Sequence, residues 1–120
     1  MHSLSMIGDH QKSKTEIPPG TLDMLILKTL RRFGPMHGYG IAKTIQQASE
    51  EVLKVEEGSL YPALQRILIK GWVTAEWVPS GPKRRNRVYS VTAEGRNQLS
   101  AEISEYRRVS AAIERVIEPA

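Results

Sequence analysis

Apolar residues recur along this chain at two spacings. Between residues 22 and 33, Leu22, Leu25, Ile26, Thr29 and Leu30 fall on one stripe at the three-to-four-residue spacing of a helix. Thr21 stands where a helix cap belongs, Asp23 suits the positive end of the helix dipole, and Gly34-Pro35 stops the run. A second helix is predicted over 41–51, with Ile41, Ala42, Ile45 and Ala48 on its apolar face, and Leu53-Lys-Val55 alternates like a brief strand. A third helix follows Gly58-Ser59. Taking Ser59 as its N-cap makes Leu60 the first helical residue and Pro62 the third, where a missing N–H removes no intrahelical bond. Leu60, Leu64, Ile67 and Leu68 form its buried stripe and Gly71 its stop.

The spacing then changes. Residues 72–78 (WVTAEWV) and 87–91 (RVYSV) are rich in strand formers, and 79–86 (PSGPKRRN) between them is dense in turn residues, which predicts a β-hairpin. From Thr92 the helical period returns over 93–117. Leu99, Ile103, Tyr106, Val109, Ile113, Val116 and Ile117 make a narrow stripe over about three heptads. The fold class is therefore mainly α with a small β-hairpin. Three helices, a hairpin and a long C-terminal helix are the order of a winged helix-turn-helix. Residues 1–16 are polar and unpatterned and are expected to form a disordered arm.

Charge adds a location to this outline. The net charge is +4, from 17 basic and 13 acidic residues. Between Gly58 and Ala93 stand Arg66, Lys70, Lys83, Arg84, Arg85 and Arg87 against the single acid Glu76, so this segment carries +5 and the rest −1. A local excess is what one face meeting a polyanion requires. Residues 17–91 are accordingly read as the DNA-binding domain and 92–120 as a dimerisation helix.

Composition excludes several other chemistries. The chain has no cysteine, so disulfides and thiolate catalysis are ruled out, and its three histidines show no metal-ligand spacing. No phosphate-loop or dinucleotide glycine pattern and no nucleophile–base–acid set is present, so no enzyme activity and no cofactor or metal are expected. No apolar run approaches the ~20 residues of a membrane span, and the first residues lack the form of a signal peptide. A soluble, cytoplasmic protein is expected.

The third helix and the hairpin carry the functional expectation. Opposite the apolar stripe lie Pro62, Gln65, Arg66 and Ile69, flanked by Ser59 and Lys70. In a major groove, Gln65 is suited to adenine and Arg66 to guanine, while Ser59 and Tyr61 suit phosphates. The bland alternative is a solvated helix face. Lys83, Arg84, Arg85 and Arg87 repel one another unless an anion is near, which favours salt-dependent phosphate contact over a mere solubility loop. Trp72 and Trp77 admit two readings: an effector pocket for a small aromatic molecule, or packing of the hairpin onto the helices, with packing favoured.

The stretches 20-GTLDMLILKTL-30, 34-GPMHGYGIAKTI-45, 58-GSLYPALQRI-67, 71-GWVTAEW-77 and 92-TAEGR-96 together resemble the PadR family of transcriptional regulators. The resemblance runs for roughly a hundred residues from Gly20 to the last helix. It implies a winged-helix domain, a homodimer built through the C-terminal helix, and repression by binding a pseudo-palindromic operator. It implies that Ser59–Lys70 enters the major groove, that Lys83–Arg87 is the wing, and that His37, Tyr39 and Lys43 join the DNA-binding set. One helix after the wing resembles the compact branch of the family; members with longer C-terminal regions often bind small effectors there. Two features depart from the pattern. Leu68 and Ile69 are aliphatic where the family is commonly polar or acidic, and the wing is unusually basic. The alternatives left open are a winged-helix module that binds an acidic protein or RNA, and a small-molecule-responsive sensor.

Overall fold

The computed structural model describes residues 15–18 and 20–118. The first helix, α1, spans Leu22–Phe33, as its periodicity requires. Thr21 occupies the N-cap position without a side-chain cap; its hydroxyl donates instead to the carbonyl of Pro18 at 2.8 Å. Gly34 closes the helix with φ 91° and donates its N–H to the Leu30 carbonyl at 2.9 Å. Met24 and Leu27 are buried along with Ile26, Thr29 and Leu30, so α1 is covered over more than one stripe. Three helices and a strand pack around it, which makes α1 the centre of the core.

A two-residue strand, β2 (Met36–His37), leads into α2 (Gly38–Ala48). This helix begins earlier than its apolar face suggests, because His37 caps it: Nδ1 accepts from the Gly40 N–H at 3.1 Å. Strand β3 (Leu53–Lys54) pairs in parallel with β1 (Thr15–Glu16). The expected disordered arm is thus shortened at its end, since Thr15 and Glu16 are in a strand; residues 1–14 of that expectation lie outside the described residues.

Helix α3 runs from Glu57 to Ile69, with Glu56 rather than Ser59 at its N-cap. Leu60 is already within the ladder, donating to the Glu56 carbonyl at 2.9 Å. Pro62 is therefore the sixth helical residue, and its missing N–H does remove one bond, to the carbonyl of Gly58. Gly58 is exposed, so water can satisfy that carbonyl. At the other end Trp72 N–H donates to the Ile67 carbonyl and Gly71 N–H to that of Leu68, with Gly71 at φ 80°. This is the paired closing arrangement that a left-handed glycine permits.

Strands β4 (Val73–Pro79) and β5 (Arg85–Val91) form the hairpin, in register from Val73↔Val91 to Pro79↔Arg85. Its turn is Ser80–Arg84, shorter than the expected 79–86 loop, so Arg85 lies in a strand. β5 also pairs with β2, giving a three-stranded sheet in the order β2-β5-β4 where two strands were expected.

The last helix, α4, spans Ala93–Ile117 and is fastened at its start. The Thr92 hydroxyl accepts from Gly95 N–H at 2.9 Å and donates to the Gly71 carbonyl at 2.7 Å. Gly95 is buried against the Trp72 carbonyl, and a Cβ there would collide with backbone. Leu99 and Ile103 enter the core formed with Ile26, Leu27, Ile41, Leu60, Leu64 and Ile67. At roughly 1.5–3 kcal/mol for each large apolar side chain buried, this cluster dominates the stability of the fold. Beyond Ile103 the helix leaves the body, and the molecule measures 55 × 35 × 21 Å.

Candidate nucleic-acid interface

The exposed face of α3 is built by exclusion. Leu60, Ala63, Leu64 and Ile67 point into the core, which turns Gly58, Pro62, Gln65 and Ile69 directly outward. Ile69 is 75% exposed, so it serves neither the core nor any neighbour in the chain. Tyr61 lies to one side of this face. Ser59, Arg66 and Lys70 lie to the other, and all four are exposed.

Two of these side chains have partners that the sequence did not suggest. The Arg66 guanidinium donates to Asp23 Oδ1 at 2.9 Å, with the Asp23 carboxylate largely covered, so Arg66 is tied to the first turn of α1 and turned away from the centre of the face. Lys70 Nζ lies over the Trp72 ring at 4.6 Å. Gln65 has neither kind of restraint among the bonds of the described residues and stands free at the middle of the face.

On the Tyr61 side, α2, α3 and the sheet converge. The Tyr61 ring packs on Gly38: a Cβ at that position would stand 2.9 Å from its Cε1. Tyr39 is 62% exposed, meets the His37 ring edge-to-face at 6.3 Å, and carries Lys43 Nζ at 5.8 Å from its centroid. His37, Tyr39 and Tyr61 share a recess of about 190 Å³ with Arg85, Asn86, Arg87 and Tyr89, and among the described residues no carboxylate lines it. The far side of α3 borders a larger cleft of about 410 Å³ that includes Ser59, Pro62 and Arg66 but also Glu16 and Glu56. Lys54 is paired there with Glu56 at 3.4 Å. The recess against the wing is thus cationic and aromatic, whereas the cleft on the β1 side is mixed.

The hairpin has one continuous inner face, because directly paired residues point the same way. It runs from Val73 and Val91, through Ala75 and Tyr89, to Trp77 and Arg87 and finally Pro79 and Arg85. Its base is buried and its tip is not. At the tip the Arg85 and Arg87 guanidiniums lie 5.1 and 5.6 Å from the centre of the Trp77 ring. Lys83 and Arg84 are exposed in the turn.

These positions bear on the two readings of Trp72 and Trp77, of which packing is favoured over an effector pocket. Trp72 sits under Lys70 at the end of α3, whereas Trp77 is 55% exposed near the hairpin tip beneath the two arginines. Five residues of strand separate them, roughly 16 Å, so they do not converge on one cavity. The dimerisation set is also divided. Leu99 is 1% exposed and Ile103 packs on the core of its own chain, so neither is free for a partner. Tyr106, Val109, Ile113, Val116 and Ile117 are all exposed. Beside them Arg108 forms a two-pronged contact with Glu105; the hydrogen bond first, and the charge second, hold the Glu105 carboxyl below the usual carboxylate range.

Asp23, Gly38, Asn86 and Trp77 are the site members that sequence reasoning did not assign this way. Trp77 was within reach, since a five-residue turn sets it opposite Arg87. Asp23 was not, because a contact across 43 residues leaves no local signal.

Among the described residues no group of His, Asp and Glu is arranged to hold a metal ion, and no helix is long and apolar enough to cross a membrane. Residues 26–101, more than half of the chain, match the transcriptional regulator PadR-like family. The chain belongs to that family. That family is one of transcriptional regulators. A PadR family transcriptional regulator from Eggerthella lenta has the same fold, with a TM-score of 0.72 and 25% identity over 98% of this chain and 93% of its own. Bacillus subtilis PadR, solved in complex with operator DNA, matches with a TM-score of 0.64 and 24% identity over 72% of this chain and 48% of that one. A 37.1 kDa protein of transposon TN4556 from Streptomyces fradiae is 38% identical over 87 residues, which are 72% of this chain. The match covers only 23% of that relative's length. The fold is the winged helix-turn-helix with a long C-terminal helix that the element order predicts.

Proposed function

We propose that this PadR-like regulator is a cytoplasmic repressor that binds a pseudo-palindromic operator as a homodimer. α3 enters the major groove, and the β4–β5 hairpin is the wing. The observation that carries this reading is the acid-free recess where Tyr39, Tyr61, Arg85 and Arg87 meet beside the free face of α3. Gln65, at the middle of that face, reads a base edge; its amide suits adenine. Ser59, Tyr61, Pro62, Lys70, His37, Tyr39 and Lys43 lie along the path of the flanking phosphates, and Lys83, Arg84, Arg85 and Arg87 reach the backbone from the wing. Arg66, held by Asp23, belongs with the phosphate contacts at the edge of the face and not with the base readers. The exposed stripe from Tyr106 to Ile117 supports a two-fold seam that sets two copies of α3 about 34 Å apart.

Anisotropy titrations of the duplex upstream of its own gene, with a shuffled duplex beside it, test this. Six to ten phosphate contacts imply that affinity falls about 10³–10⁵-fold between roughly 50 and 200 mM salt. Gln65→Ala is expected to remove about 1–3 kcal/mol of discrimination between the two duplexes, and Arg84→Ala to weaken both alike. Binding no tighter to the upstream duplex than to the shuffled one would defeat the reading and favour a protein or RNA partner.

A further inference from the structure

The arginine-bearing end of the hairpin poses a physical problem that its neighbours answer. Arg85 and Arg87 are two positions apart on one strand face, so like charges stand side by side, with no carboxylate of the described residues in the recess they line. Long, exposed cations in this position ordinarily scatter over many rotamers, and binding must then order them. Here both guanidiniums lie within 6 Å of one tryptophan ring, the geometry in which a ring face attracts a cation. Trp77 is directly paired with Arg87 and one step along the face from Arg85. The ring is not there for the core, since it is 55% exposed. Arg87 Nε is moreover shielded from solvent, without a hydrogen-bond partner among the described residues.

We propose that Trp77 is the positioning residue of the wing: its ring holds Arg85 and Arg87 side by side, aimed with the Tyr39 and Tyr61 hydroxyls at one backbone phosphate seated between the wing and the start of α2. The inference rests on the reading of the chain as a DNA-binding protein and adds to it a defined phosphate seat. The recess, at about 190 Å³, holds roughly six waters' worth of volume, enough for a phosphodiester group and part of its hydration. The ligand is an anion with oxygens spread in several directions, which two planar guanidiniums and two hydroxyls can meet together.

The test compares Trp77→Ala, Trp77→Leu and Trp77→Tyr in the full chain, against a fluorescein-labelled duplex of arbitrary sequence, between roughly 50 and 200 mM salt. None of these variants alters the charge. Ala and Leu are expected to bind about tenfold more weakly, because two side chains must now be ordered on binding, while Tyr restores most of the affinity. The slope of log affinity against log salt is expected to stay at the wild-type value, since the same phosphates are contacted. Unchanged affinity in Trp77→Ala overturns the proposal. So does a slope flattened by about 1.8, which means that the two arginine contacts were lost outright with a misfolded wing. If the wild type itself binds no duplex, it is the DNA-binding reading that fails, and the two failures are thereby distinguished.

Discussion

Two glycines show how differently the same substitution acts at the residue scale. At Gly95 the obstacle to a side chain is the Trp72 carbonyl, which is fixed by its bond from Thr92 N–H at 3.0 Å. Gly95→Ala is expected to cost about 1–3 kcal/mol or more through overpacking, read as a drop in melting temperature of several degrees. At Gly38 the obstacle is the ring of Tyr61, a half-exposed side chain that can swing aside. Gly38→Ala should leave the melting temperature nearly unchanged yet weaken DNA binding, because the displaced ring is one wall of the recess beside Arg85 and Arg87. A variant with equal losses in both measurements would show that Tyr61 is structural first. The cationic residues of the third helix and wing were legible from charge alone. The partner of Arg66 was not, because Asp23 reaches it across 43 residues, whereas Trp77 stands opposite Arg87 once the turn length is known.

At the scale of elements, legibility followed length and capping. α1 was delimited correctly because a helical period twelve residues long was bounded by Thr21 and Gly34. The start of α3 was misjudged because Gly58-Ser59 has the composition of a helix start, while the helix actually opens at Glu56 with no side-chain cap. β1 and β2 have two residues each, too few to show any period, and they exist because a partner strand supplies their bonds; β3, equally short, was signalled by the alternation Leu53-Lys-Val55. The Asp23–Arg66 pair joins the first turn of α1 to the flank of α3, and so restrains a cation beside the proposed DNA surface. Asp23→Asn removes that restraint. It is expected to change folding stability by less than about 1 kcal/mol, as partly exposed pairs do, and to tighten binding to every duplex by a few fold. Weaker binding in this variant would mean that Asp23 orients Arg66 for DNA.

For the whole molecule, the open question in the sequence was the division of labour along α4, since its heptad stripe is uniform from Leu99 to Ile117. Packing divides it. The first part belongs to the chain's own core, and the exposed part begins at Tyr106. Ile113 is 52% exposed in the single chain, so Ile113→Glu should fold normally while disrupting a seam between two copies. Light scattering behind a sizing column would then report a monomer, and an unchanged dimer would move the seam elsewhere. Because α4 is one unbroken helix of 25 residues, both of its parts turn together. Its length is about 37 Å, so a tilt of about 5° at the exposed end displaces the other end by about 3 Å, close to the 3.4 Å rise between bases. On the dimer reading the crossing angle of two such helices therefore acts as a mechanical setting. A small rotation at the seam is enough to slip a pair of reading heads by one base pair, without altering a single residue that faces the DNA.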